Sequence, residues 1–381
     1  MRLRVPAVRR RMTSRAPVGA PRERANERGA AIVTALFVVT LAAILVASVL
    51  WRQQIQVRRI ENQRLLAQAQ WVSRGALDWT RLILRAEADT APTVTYLGGV
   101  WAVPIAKTKL SDFLGKIGAA QAGQGEDTYV SGSIEDAQGK FNLRNLVSIP
   151  APGQLQIDIQ QTLAFQRLLQ SFGFAGQQLA RKTAVYIRAS LKQSATRFQA
   201  QNNPLTGNAQ PQQLGGAVGG NNFTSKPGLQ DTDDDSGDVP LQMTSVDSLL
   251  NVPGFTPEIV ERLRPFVTVL PTQTPINMNT APAEVVAAIT PGMTVSTAQA
   301  FVSRRQTVFF RNTGDVTLAL RGAGAPPQAS DANSIPIDVT TSYFFVHGRV
   351  QHRRAEVDRT TLVYRDPLTH STRIVRVEDA P

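Results

Sequence analysis

The chain has 381 residues, no cysteine and a formal net charge of +12. That length allows one or two compact domains with tails, and the missing cysteine excludes disulfide frameworks, zinc–cysteine clusters and thiol chemistry. The charge first suggests nucleic acid or an anionic surface. However, residues 1–29 hold nine arginines against Glu23 and Glu27, so +7 lies there and the other 352 residues carry only +5.

Residues 30–51, AAIVTALFVVTLAAILVASVLW, contain no charge. This run is long enough to cross about 30 Å of hydrocarbon as a helix. Arg28 and Arg52 bracket it, and Trp51 stands where an interfacial aromatic belongs. The arginine excess predicts a cytoplasmic N-terminus and a body on the far side of the membrane. A secretory signal would end in a cleavage site after the apolar run. Here the helical pattern continues without proline through residues 52–88, by way of Ile55, Ile60, Leu66, Ala69, Val72, Ala76, Leu77, Leu82 and Ile83. The reading is one helix over 30–88, apolar all round in its first half and amphipathic in its second.

A charged leader ending in Gly29, directly before a long apolar helix, resembles the class III signal of type IV pilins and pseudopilins. The resemblance implies cleavage by a prepilin peptidase between Gly29 and Ala30, methylation of the new N-terminus, and retention of the helix as a membrane anchor. Most members have glutamate five residues into the mature chain, where this sequence has Thr34. In that departure it is similar to the K-type minor pseudopilins of type II secretion (general secretion pathway protein K).

Beyond the stalk, Tyr129-Val130 and Ser133-Ile134 read as strand, residues 136–139 as a turn and residues 140–143 as the start of a return strand. The phrase E-D-A-Q-G-K-F-N-L, from Glu135, resembles the hairpin that opens the K-type head. Residues 154–191 have helical spacing, and residues 201–240 are polar and glycine-rich, read as a mobile surface loop. Two related units follow at 246–270 and 276–305, each a capped helix, a Pro-Gly turn and a second helix. In the second, Asn279 or Thr280 is the expected cap, with Pro282 and Glu284 in the first turn. I-N-M-N-T-A, from Ile276, and L-L-N-V-P-G-F-T, from Leu249, resemble K-type phrases. They also resemble helix-hairpin-helix units that bind DNA phosphates, although both loops lack the second glycine of that motif. Residues 342–350, 355–364 and 372–377 return to strand, with a turn at Asp366-Pro367.

No catalytic constellation is present: His347, His352 and His370 show no metal-ligand spacing, and there is no nucleophile elbow or phosphate-binding glycine loop. The acidic run holding Asp231, Asp233, Asp235 and Asp238 reads first as a solvated loop and second as a Ca²⁺ site. It does not fit the EF-hand spacing. Relatives resemble calcium binders that use an acidic phrase here replaced by Ala184-Val185-Tyr186-Ile187-Arg188.

The expected fold class is α+β: a long N-terminal transmembrane and stalk helix, and a pilin-like antiparallel sheet with a large inserted α-helical domain. The expected boundaries are a cleaved leader 1–29, helix 30–88, first head segment 89–150, inserted domain 151–334 and final strands 335–381. The resemblance implies a non-catalytic subunit at the tip of a type II secretion pseudopilus, anchored in the bacterial inner membrane with its head in the periplasm. It implies as partners the I- and J-type minor pseudopilins, the pseudopilus, the prepilin peptidase, the inner-membrane assembly platform and secreted proteins, and no nucleic acid. Two alternatives stand beside it: a membrane-anchored, helix-hairpin-helix-like DNA-binding protein of a competence or type IV pilus system, and a pilus adhesin.

Overall fold

The computed structural model describes residues 27–116, 125–151, 154–201, 240–326 and 335–379. The chain divides into two units, the first ending at Arg64 and the second running from Leu65 to the C-terminus. Helix α1 (Glu27–Thr90) contributes to both, starting before and ending just after the expected 30–88.

In the first unit, the side chains of residues 31–64 are all exposed, including Ile32, Leu36, Phe37, Ile44, Leu45 and Trp51. Apolar exposure of this length suits hydrocarbon, and α1 is long and apolar enough to cross a membrane. The polar side chains inside the run are satisfied by their own helix. Thr34 Oγ1 donates to Ala31 O (3.0 Å), Thr40 Oγ1 to Phe37 O (2.8 Å) and Ser48 Oγ to Leu45 O (2.7 Å). In lipid, where no water is available, that is the only economical arrangement.

In the second unit, α1 is one-sided. Leu65, Ala69, Ser73, Thr80, Leu84 and Ala88 are buried, spaced by four or seven residues. Of the expected apolar positions Ala69, Val72, Leu77 and Ile83 do pack toward the sheet, while Leu66 and Leu82 are exposed, and the polar Ser73 and Thr80 lie on the inner face. Ala69 packs with Val350 and Val357, while Leu84 packs with Trp101, Phe344, Val346 and Val363.

Those partners belong to a five-stranded antiparallel sheet. Strand β1 (Ile105–Lys109) leads into α2 (Leu110–Lys116), and β2 (Thr128–Asp136) is the last strand before the chain leaves the sheet. It continues through β3 (Phe141–Asn142), β4 (Val147–Ala151), β5 (Gln154–Ile157), α3 (Ile159–Ser171) and α4 (Gly176–Gln201). Then come α5 (Pro257–Leu263), β6 (Val267–Thr268), β7 (Ile276–Asn277), α6 (Ala283–Ile289), α7 (Val295–Thr307), α8 (Thr313–Gly322) and β8 (Ile337–Asp338). The sheet resumes with β9 (Tyr343–His352), β10 (Ala355–Arg365) and β11 (Thr372–Asp379), giving the order β1-β2-β9-β10-β11. Strand β2 pairs with β9 from Thr128↔His352 to Asp136↔Phe344, so the sheet is interrupted between two neighbouring strands by the helical block. The expected α+β fold with an insertion in an antiparallel sheet is what the chain adopts.

Several local expectations need correction. Residues 129–143 do not form a hairpin, because β2 is flanked on both sides by β1 and β9 and has no lane left for a return strand. Instead Phe141-Asn142 pairs in parallel with Val267-Thr268, and the fully buried Phe141 stacks on Phe165 in the helical core. The helix expected from Gln154 begins later. Residues 154–157 form β5 against β4, and Asp158 then caps α3 by accepting from the Gln161 amide (3.0 Å). The first element of the 246–270 unit is a 3-10 turn (Val246–Asn251).

Candidate functional site

Two regions were singled out by the sequence, and they lie in different units. Gly29 and Ala30 fall within the first turns of α1, and Thr34 lies one turn further on. The position where a pilin-type carboxylate would stand thus carries a hydroxyl turned back on the Ala31 carbonyl. The candidate calcium ligands Asp231, Asp233, Asp235 and Asp238 lie outside the described residues. Among the described residues, no group of three or more His, Asp or Glu side chains is gathered as a metal site. The histidines are tied locally: His347 to Thr360 and Glu135, His352 to Thr128, and His370 to Asp89.

The second region is the I-N-M-N-T-A phrase, and its geometry differs from the expectation. Neither Asn279 nor Thr280 caps α6; Pro282 stands at the cap position without a side-chain bond. Asn279 instead brackets Phe310, donating to its carbonyl and accepting from its amide, both at 2.9 Å. Asn277 and Thr280 turn to the carboxylate of Asp136, at the end of β2. Asp136 Oδ2 accepts from Asn277 Nδ2 (2.8 Å), Thr280 Oγ1 (2.6 Å) and Thr341 Oγ1 (2.6 Å), while Oδ1 accepts from the Gln138 amide (2.8 Å).

The cluster reaches further. Asn277 Nδ2 also donates to the Thr95 carbonyl (3.0 Å). Arg365, on β10, donates to the carbonyls of Leu84 and Thr341 (both 3.0 Å) and to Thr95 Oγ1 (3.1 Å). One buried carboxylate therefore joins β2, the β7–α6 link and the approach to β9, and Arg365 ties the end of α1 to the same place. Burial pushes the Asp136 carboxyl above its ordinary range, against the pull of its four donors. Burial likewise pulls the Arg365 guanidinium down, while Asp136 and Glu87 pull it up. Both phrases stand out in the sequence, but the link between them does not. Asn279 and Thr280 beside Pro282 fit a helix cap, so their local pattern pointed away from Asp136.

The helix-hairpin-helix likeness fares poorly as a phosphate site. Gly254 and Gly292 have the positive φ that such turns need (106° and 78°). Yet a Cβ on Gly254 would lie 3.0 Å from Leu179, and one on Gly292 would lie 2.9 Å from Pro326, so both turns are packed against protein. The cations of residues 246–270 are engaged within the fold: Arg264 with Asp247 and Glu261 (2.6 Å each), and Arg262 over Phe172 and Phe174. In residues 276–305, Arg305 is buried and donates to the Met278 carbonyl (2.8 Å), its guanidinium pulled down to about 10 by burial.

Two family models, both described as type II secretion system (T2SS), protein K, match residues 139–272 and 276–339, together more than half the chain. A type II secretion system protein K of Pseudomonas aeruginosa is 28% identical over 335 residues, covering 86% of this chain and 85% of its own. Another, from Pectobacterium carotovorum subsp. carotovorum, is 23% identical over 352 residues, covering 90% and 93%. Among solved structures, a chain of the GspK-GspI-GspJ complex from the enterotoxigenic Escherichia coli Type 2 Secretion System superposes with a TM-score of 0.58. The identity is 15%, and the match covers 85% of this chain and 99% of that one. The matched family regions begin three residues after Asp136 and contain the Asn277–Thr280 arm of its cluster. With the apolar helix and the interrupted sheet, they establish that the chain belongs to the type II secretion system protein K family, the K-type minor pseudopilins.

Proposed function

We propose that this minor pseudopilin stands at the tip of a short fibre and nucleates or caps its assembly during protein export across the outer membrane. The observation that carries the reading is Thr34. In pilin-like fibres the carboxylate at that position meets the N-terminal amine of a neighbouring subunit. A hydroxyl satisfied by its own helix makes no such demand on a subunit above. The helical block, set between two adjacent strands of the sheet, adds bulk to the head that a stacked neighbour would have to clear.

Under this reading the partners are smaller pseudopilins, in keeping with the complex in which the E. coli structural relative was solved. The peptidase, the assembly platform and a periplasmic head in an inner-membrane-anchored protein belong to the same proposal. The arginine-rich residues 1–29 support that orientation.

Two measurements on membrane-extracted protein test it. Intact mass should show loss of residues 1–29 and a chain beginning at Ala30, free or methylated, whereas cleavage beyond residue 50 would reject the pseudopilin mode of anchoring. Crosslinking in cells should recover one copy with smaller pseudopilins. DNA-dependent recovery without them would favour the competence-type alternative.

A further inference from the structure

The buried residues of the second unit do not form one continuous core. The largest cluster, with Phe141, Phe165, Leu168, Val286 and Phe301, contains no residue of the five sheet strands. The clusters between sheet and α1, built on Leu84, Trp101, Phe344 and Val346 and on Ala69, Val350 and Val357, contain no residue of the helical block. Among the described residues, two apolar contacts join the two sides: a small cluster of Ala137, Leu270, Tyr343 and Leu362, and Val94 after α1, which packs into the block's core.

The chain crosses between them at one place. It leaves the sheet after Asp136 and re-enters at Tyr343, next to it, since Asp136 pairs with Phe344. Adjacent entry and exit are the geometry of a hinge, where a few residues between packed bodies absorb the change. Beside that hinge lies the Asp136 cluster. A further strap comes from the segment after α1, where the Thr95 amide donates to the Val339 carbonyl (2.8 Å) and Tyr96 stacks on Phe309 (4.2 Å).

We infer that the helical block is a separate cooperative body latched to the sheet and stalk by the Asp136 carboxylate, so that breaking the latch releases the block while both bodies stay folded. A polar latch suits this role better than an apolar seam. Its bonds are made only at the docked geometry, and each lost donor leaves a buried charge less satisfied, which makes docking all-or-none. Cooperative units of this kind open below the global unfolding free energy.

Hydrogen exchange with mass spectrometry on the full chain in detergent tests the latch. Asp136→Asn places an amide where one side meets the Gln138 N–H and the other meets three donors. Thr280→Val and Thr341→Val each remove one donor to the carboxylate and keep the shape, and Thr341→Val also removes the acceptor of an Asn277 Nδ2 bond (2.9 Å). Each variant should speed exchange in peptides spanning residues 93–97, 276–281 and 339–342 by roughly ten- to a hundredfold, as loss of a buried charged hydrogen bond implies. Peptides from α3, α6 and the β9–β10 pair should keep wild-type protection, as should every peptide in the surface control Arg349→Gln, whose partners are Asp358 and Glu356. Equal loss of protection across α3, α6, β9 and β10 would show a single cooperative body and overturn the inference. So would unchanged junction peptides in all three latch variants.

Discussion

Asp136 is held by opposing forces, and pH separates them. Removing a carboxylate from water favours its neutral form, while four donors favour the ion. Burial is the larger effect, so the folded-state carboxyl sits above its ordinary 3.8. The charged groups around it are Arg365 on β10 and, beyond that, Glu87 on α1. Between the ordinary and the raised value, the folded protein holds a proton that the unfolded chain has released. The sign follows: stability rises as pH falls through that window and levels off below the ordinary value. Asp136→Asn removes this titration. The melting temperature of the wild type relative to Asp136→Asn should therefore increase on acidification. A difference that shrinks instead would show that the four donors outweigh burial. None of this was legible locally, because Asp136, Asn277 and Thr341 are separated by 141 and 64 residues along the chain. Asn279 and Thr280 had the composition of a helix cap, and nothing in their immediate neighbours reveals a buried carboxylate to bind.

At the scale of elements, the last strands were readable because each is a β-rich run bounded by turn residues. Residues 343–352 and 355–365 form a ten-pair ladder, closed by a turn in which Arg353 takes a positive φ of 51°. The expected return strand after β2 is absent because a turn signal reports that the chain bends, not where it goes. Whether the neighbouring lane is free depends on β1 and β9, which are remote in sequence. The stalk helix was read by its length and lack of proline, and its packing now yields a prediction. Gly75 on α1 and Gly348 on β9 have no atom within 4 Å of where a Cβ would stand. Both line a cavity of about 850 Å³ between helix and sheet. Gly75→Ala removes backbone freedom from the unfolded chain without a clash. It should stabilise the second unit by about 0.5–1 kcal/mol, as for alanine over glycine inside a helix. Thermal melts of the full chain in detergent would show this as a higher melting temperature. A lower one would mean that the helix must bend or approach the sheet more closely at Gly75.

At the scale of the whole molecule, the chain combines a helix suited to lipid with a head whose inserted block is held at one edge of the sheet's interruption. The proposed tip position asks two things of this chain: that it require no subunit above it, and that its helix still associate with those below. Thr34 bears on the first. Introducing a carboxylate there tests whether that single position decides fibre placement. In the membrane a central carboxylate costs about 2.5–3.5 kcal/mol on insertion scales. Position 34 lies near the end of the apolar run, so Thr34→Glu should still insert. If the tip assignment rests on the whole head as well as on Thr34, the substitution restores the carboxylate but leaves the helical block in place. The variant should then still crosslink as one copy with smaller pseudopilins and form no polymer of its own. Regular homopolymeric ladders from Thr34→Glu alone would assign the tip position to that one side chain and remove the helical block from the explanation. Such ladders from the unaltered chain would exclude the tip position altogether.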